Sequence, residues 1–221
     1  MKKHLLAAAI VALAAGSAMA QANDTLAKIK GSGSVTLGVR ESSGLSYTLG
    51  NGKYVGFHTE MGERVLDDIQ KQLGLAKLDV KYQPVTSQNR IPLVTNGTVD
   101  LECGSTTNNA ARQKDVAFAV TTYVEEVRMA VKANSGINSI TDLKGRTVAT
   151  TTGTTSVQTL RKNERAGNLD FKEVYGKDHA DSFLMVETGR ADAFVMDGSI
   201  LAANISKAKN PADYKIVGEV L

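Results

Sequence analysis

The sequence lacks several things on which common protein functions depend. It has a single cysteine, Cys103, in 221 residues. No disulfide can therefore close within it, and the thiol is buried, reactive or paired with something outside these residues, burial being the ordinary state of a free cysteine. Its three histidines stand at 4, 58 and 179, without the spacing of a metal site. The net charge is only +3, two of those charges being Lys2 and Lys3. The remainder, about +1, is too little for a basic nucleic-acid-binding face. There is no Gly-x-Ser-x-Gly elbow and no glycine-rich loop ending Gly-Lys-Ser or Gly-Lys-Thr, so an α/β-type serine hydrolase and a phosphoryl-transfer enzyme are poor readings. Past the first twenty residues, no apolar run is long enough to cross a bilayer.

Those first twenty residues read MKKHLLAAAIVALAAGSAMA: a basic start, a short apolar core and small residues before the cut. This is a secretory signal peptide, and it implies a mature chain in the bacterial periplasm. The composition, 42% hydrophobic and 22% charged, is that of a soluble α/β protein and excludes disordered and coiled-coil classes. Strand-length apolar runs alternate with helical patterns throughout, the signature of βαβ units. Strands are expected at 35–40, 78–85, 99–103, 124–132, 146–151, 171–175, 191–196 and 214–220. Helices are expected at 90–95, 156–166, 178–189 and 198–208. Another helix is capped by Thr59, carries Met61, Val65, Leu66, Ile69 and Leu73, and stops at Gly74. A boundary falls in the extended TTYVEE segment at 121–126. The organisation is then 1–20 leader, 21–123 first lobe and 124–221 second lobe, with a cleft lined by the loops that follow the strands.

Those loops are dense in Arg, Ser and Thr. Arg40 follows the first strand, Ser87 and Arg90 the second, Ser105, Thr107 and Arg112 the third, and the TTTGTTS run holding Thr152 and Thr155 the fifth. Guanidinium forks and hydroxyls converging on one cleft suit an anion with several acceptor atoms. Arg90 is placed against the dipole of a helix capped by Asn89, which a nearby anion would relieve. Asp178, His179, Asp181 and Ser182 lie too close together for a hydrolytic triad. Asp178 reads better as a helix cap, with His179 projecting into the cleft. Asp197 ends a strand and suits a ligand ammonium or the cap of the next helix.

The strings GVRESS (38–43), TSQNRIPL (86–93), NGTVDLECGSTTNN (96–109), ARQK (111–114), ITDLKG (140–145), TGTTS (152–156), KDHADSF (177–183) and GRADAFVMD (189–197) resemble the periplasmic solute-binding proteins of polar amino-acid ABC transporters, nearest to the glutamate/aspartate branch of solute-binding family 3. The resemblance runs over 26–220. It implies a two-lobe type II periplasmic-binding fold, no cofactor and no catalytic residue. It implies L-glutamate or L-aspartate as ligand, an inner-membrane ABC permease as partner, and a monomer. Arg112, Ser105 and Thr107 would hold the α-carboxylate and Asp197 the ammonium. Arg40, Arg90 and His179 would face the side-chain carboxylate, with Ser87, Thr152 and Thr155 contributing hydroxyls. A second acidic residue is expected after Asp197, where this chain has Gly198, and the broader family's acid after Gly-Phe is replaced by His58. The resemblance also implies that the second half of the first lobe lies beyond residue 221, together with a disulfide partner for Cys103.

Two other classes fit the same scaffold. A periplasmic dehydratase of cyclic carboxylic acids would need Glu41 or His179 as its acid or base. A sensor component would need a membrane or signalling segment that the sequence does not show.

Overall fold

The structure, a computed structural model, describes residues 24–221; the leader lies outside the described residues. Helix α1 (Thr25–Ser32) is capped by the Asp24 carboxylate, which accepts from the Ala27 amide at 3.1 Å. It leads into β1 (Ser34–Val39), the hairpin of β2 (Tyr47–Gly50) and β3 (Lys53–Val55), then α2 (Phe57–Gln72), β4 (Asp79–Pro84), α3 (Arg90–Thr95) and β5 (Leu101–Glu102). The second half holds β6 (Val127–Lys132), β7 (Thr147–Thr151), α4 (Thr155–Gly167), β8 (Lys172–Gly176), α5 (His179–Glu187), β9 (Ala193–Asp197), α6 (Gly198–Ser206) and β10 (Tyr214–Val217). The expected α/β alternation is present, with bounds shifted by a few residues.

Two sheets organise the chain. In the first, β1 lies parallel between β4 and β5. In the second, the order is β10-β6-β9-β7-β8, parallel from β9 to β8 and antiparallel at β10 and β6. The second sheet is covered on both faces, and the period of two along its strands divides its core. Met129, Val131, Val148 and Val195 join Leu160 of α4 on one side. Ala130, Ala149, Phe194 and Met196 join Phe183 of α5 and Ile200 of α6 on the other. In the first sheet Val35, Leu37 and Val39 pack on Ile29 of α1 and Leu66 of α2.

Four expectations are corrected. Helix α2 begins at Phe57 behind Gly56, and Thr59 is not its cap. Thr59 is buried in the first turn because its hydroxyl donates to Val55 O at 3.2 Å. Val65 points to solvent rather than into the core, being 43% exposed. The strand expected from 124 begins at Val127, since 121–126 runs without ladder bonds. Cys103 is half-buried rather than buried. Among the described residues no helix is long and apolar enough to cross a membrane.

Candidate functional site

The carboxyl end of β1 delivers Arg40, which is fully buried. Its amide donates to Ser46 Oγ at 3.0 Å, and the Ser46 and Thr59 hydroxyls lie 2.9 Å apart. Because Thr59 spends its proton on Val55 O, Ser46 donates to Thr59, and one relay of hydroxyls fixes the Arg40 backbone. The guanidinium donates to Ser105 Oγ at 3.1 Å and to Asp178 Oδ1 at 2.7 Å, while Ser42 Oγ donates to Asp178 Oδ2 at 2.8 Å. Asp178 therefore joins the two halves of the chain. It occupies the N-cap position of α5 but makes no cap bond with its side chain, which corrects the reading of it as a helix cap. Burial works to raise its carboxyl, but the Arg40 charge and the hydrogen bonds from Ser42 and Arg40 outweigh that and hold it below the usual carboxylate range.

His179 is buried at the start of α5, with Nε2 3.1 Å from Arg40 and Nδ1 3.0 Å from Thr151 Oγ1. A guanidinium can only donate, so Nε2 accepts and the ring proton sits on Nδ1. Burial and the Arg40 charge keep this imidazole neutral. It orients Arg40 and offers the cleft no N–H of its own.

Arg90 opens α3 with its side chain buried, and its bond to Ser105 Oγ is long, at 3.4 Å. Its Nε and the neighbouring Ser87 Oγ have no partner among the described residues. Burial foremost, with Arg40 and Arg112 nearby, lowers Arg90 to about 9 against the pull of Glu102. Asn89 is not a capping side chain. Its Oδ1 accepts from the Thr86 amide at 2.8 Å and its own amide donates to Thr86 Oγ1, so it locks the turn before the helix.

These groups converge on a narrow inner gap, about 170 Å³ with the solvent open to it, lined by Ser87, Arg90, Ser105, Thr107, Thr154, Thr155, His179, Met196 and Asp197. Ser105, Thr107, Thr155 and Asp197 also line an adjoining, larger and open space of about 1220 Å³. Asp197 ends β9, buried, with Ser156 Oγ 3.4 Å from Oδ1. Burial first, then the charge of Glu125, lifts its carboxyl to about 6. Arg112 stands at the rim, donating to Thr107 O at 2.9 Å and Gly153 O at 3.1 Å. It ties the loop after β5 to the loop after β7.

Residues 35–211 match the bacterial extracellular solute-binding proteins, family 3. The chain belongs to that family. It is 44% identical over 218 residues to the L-glutamate/L-aspartate-binding protein of Pseudomonas aeruginosa, covering 97% of this chain and 72% of that one. To the glutamate/aspartate import solute-binding protein of Escherichia coli (strain K12) it is 42% identical over 221 residues, covering 96% and 73%. Among solved structures, an ancestral arginine-binding protein bound to glutamine superposes with a TM-score of 0.72 at 28% identity, covering 86% of this chain and 80% of the other. The arginine-bound, truncated ArgBP from T. maritima does so with a TM-score of 0.74 at 27% identity, covering 88% and 86%. The fold is the two-lobe, type II form shared by these periplasmic binding proteins.

Of the ten residues singled out from sequence, Ser87, Arg90, Ser105, Thr107, Thr155, His179 and Asp197 line the inner space. Arg40 and Arg112 stand one hydrogen bond behind it. Thr152 does not line it: its amide donates to Gly176 O at 3.1 Å, and Thr154 takes its place at the wall. Sequence reasoning missed Asp178 and Glu125 as parts of the site. The first was hidden by a plausible cap, and the second by lying in a segment without periodicity. The two acid–base candidates of an enzyme are poorly set, since Glu41 is exposed and His179 Nε2 accepts from Arg40.

Proposed function

We propose that this chain captures L-glutamate or L-aspartate in the periplasm and delivers it to an inner-membrane ABC permease, without making or breaking a bond. The observation that carries the reading is the buried Arg90, whose Nε and neighbouring Ser87 Oγ lack partners beside a narrow gap that also presents Asp197. A buried cation without its counter-ion is costly, and a dicarboxylic amino acid supplies one. In this reading Arg90 and Ser87, backed by Arg40 as His179 orients it, receive the side-chain carboxylate. Arg112 keeps unused donors after its two carbonyl bonds and receives the α-carboxylate with Ser105 and Thr107. Asp197 takes the ammonium. The protein works as a monomer of two lobes, taken as 21–123 and 124–221, that close on the ligand about the stretch 121–126. The family and its relatives named for glutamate and aspartate support this assignment.

The test is calorimetric titration of glutamate and glutamine into the protein and its Arg90→Met variant. Methionine keeps the apolar length and removes the fork. Glutamate is expected to lose about 2 kcal/mol or more, and glutamine, neutral at the same end, much less. Equal losses would mean that Arg90 supports the fold rather than reading the ligand.

A further inference from the structure

The wall around Asp197 contains a second acid that the family's motif does not supply. Glu125 comes from the extended stretch between the two sheets and shares the larger space with Asp197. Its Oε2 accepts the Ser199 amide at 3.0 Å, at the start of α6. The residue directly after Asp197 is Gly198, and a Cβ built there would lie 3.8 Å from Glu125 Oε2 and 3.6 Å from Glu126 O. Both are ordinary van der Waals distances, so a side chain at 198 has room and would stand next to the Glu125 carboxylate, which reaches this neighbourhood from another segment. Neither acid is in an ion pair among the described residues. Their mutual repulsion is the second cause, after burial, of the rise at Asp197. Two carboxylates lining one space, neither of them in an ion pair, suit a ligand cation. Asp197 also lines the inner space, which Glu125 does not reach, and there the buried Ser87 Oγ and Arg90 Nε lack partners; an occupant that meets those two groups and Asp197 would present its other end to the space that Glu125 lines.

We propose that Glu125 is the second carboxylate holding the ligand's ammonium, acting beside Asp197 and coupling ligand capture to the stretch that joins the lobes. This rests on the reading of the ligand as an acidic amino acid. The Ser199 amide bond is what keeps Glu125 aimed at the site, and a glutamine in its place can still accept that bond while losing the charge. The structural and binding roles are therefore separable.

The experiment titrates L-glutamate and L-2-hydroxyglutarate, which carries a hydroxyl instead of the ammonium, into wild type, Glu125→Gln and the double variant Glu125→Gln with Gly198→Asp. Glu125→Gln is expected to weaken L-glutamate at least tenfold while changing L-2-hydroxyglutarate less than about threefold. The double variant places an acid in the volume beside Asp197 and is expected to recover most of the loss. No loss in Glu125→Gln, an equal loss for both ligands, or no recovery in the double variant overturns the role of Glu125 and leaves the ligand assignment standing. A wild-type protein that binds neither glutamate nor aspartate overturns the ligand assignment, and with it this role.

Discussion

Asp197 carries a charge that its surroundings resist. Buried and facing Glu125, its carboxyl rises from 3.8 to about 6, although Ser156, Arg90 and Arg112 pull the other way. Between those two values the folded protein binds the proton that the unfolded chain has released. Stability of the ligand-free protein due to this group therefore falls as pH rises from about 4 to about 6, by about 1.4 kcal/mol per unit inside the window, and is level above it. An ammonium needs the ionised form, so glutamate affinity is expected to rise through the same window. Asp178 works in the opposite sense: its folded value is lowered, so its contribution is present above the ordinary carboxylate range and lost as pH falls. The two are separated by comparing thermal melts and titrations of wild type and Asp197→Asn at pH about 5, 6 and 7.5. The difference in stability between the two proteins should vary with pH in the stated direction. An unchanged difference across that range would place the Asp197 pKa at its ordinary value. Cys103 is the contrasting case, since burial and the neighbouring Glu102 push its thiol up to about 11 and leave it a poor nucleophile at neutral pH.

At the scale of elements, what the sequence made legible was periodicity. The alternation in β6 and β9, with Met129 and Val131 facing one way and Ala130 the other, is written in the residues themselves. The loops that follow β1, β4, β5 and β7 announced themselves by hydroxyls and arginines without any apolar period to explain them. What local pattern could not show was which polar side chain serves its own element and which serves another. Thr59 and Asp178 both stand at helix starts and both look like caps, yet one completes the relay behind Arg40 and the other pairs with Arg40 across the cleft. Hydrogen bonds spanning 138 residues leave no trace in a window of ten. The same fact yields a prediction. Because Asp178 makes no side-chain cap bond to α5, Asp178→Asn should leave the helix content seen by circular dichroism unchanged. It removes the anionic partner of a fully buried guanidinium in the closed arrangement, so glutamate affinity should drop about tenfold or more, equivalent to about 1.4 kcal/mol. A loss of helix signal without a loss of affinity would return Asp178 to the role of a cap.

For the whole molecule the decisive contacts are those where backbone meets backbone across the cleft, because main chain cannot rotate out of the way. Two glycines occupy such places, each with a positive φ that other residues adopt only with strain. Gly44 has φ +74°, and a Cβ there would stand 2.7 Å from Ser199 O at the start of α6. Gly153 has φ +80°, and a Cβ there would stand 2.7 Å from Gln88 Cα and 2.8 Å from Gln88 N. Gly153 lies beside groups that would hold the ligand, accepting from Arg112 at 3.1 Å and abutting the Ser87-Gln88 turn, and Gly44 follows Ser42, whose hydroxyl donates to Asp178 across the cleft. Replacing Gly153 with alanine therefore has two separable effects. The positive φ costs about 1 kcal/mol wherever the lobes stand, and this appears as a modest fall in the melting temperature of the ligand-free protein. If the lobes part without ligand, the clash with Gln88 is felt by the liganded state alone. If closure carries binding, glutamate affinity should fall by more than the strain alone predicts, about thirtyfold or more, and small-angle scattering at saturating glutamate should show a larger radius of gyration than wild type gives. Gly44→Ala, on the opposite side of the cleft and touching a different loop, should reproduce both results. A variant that binds glutamate as tightly as wild type, with the same compact scattering profile, would mean that the ligand is held without the approach of the two lobes.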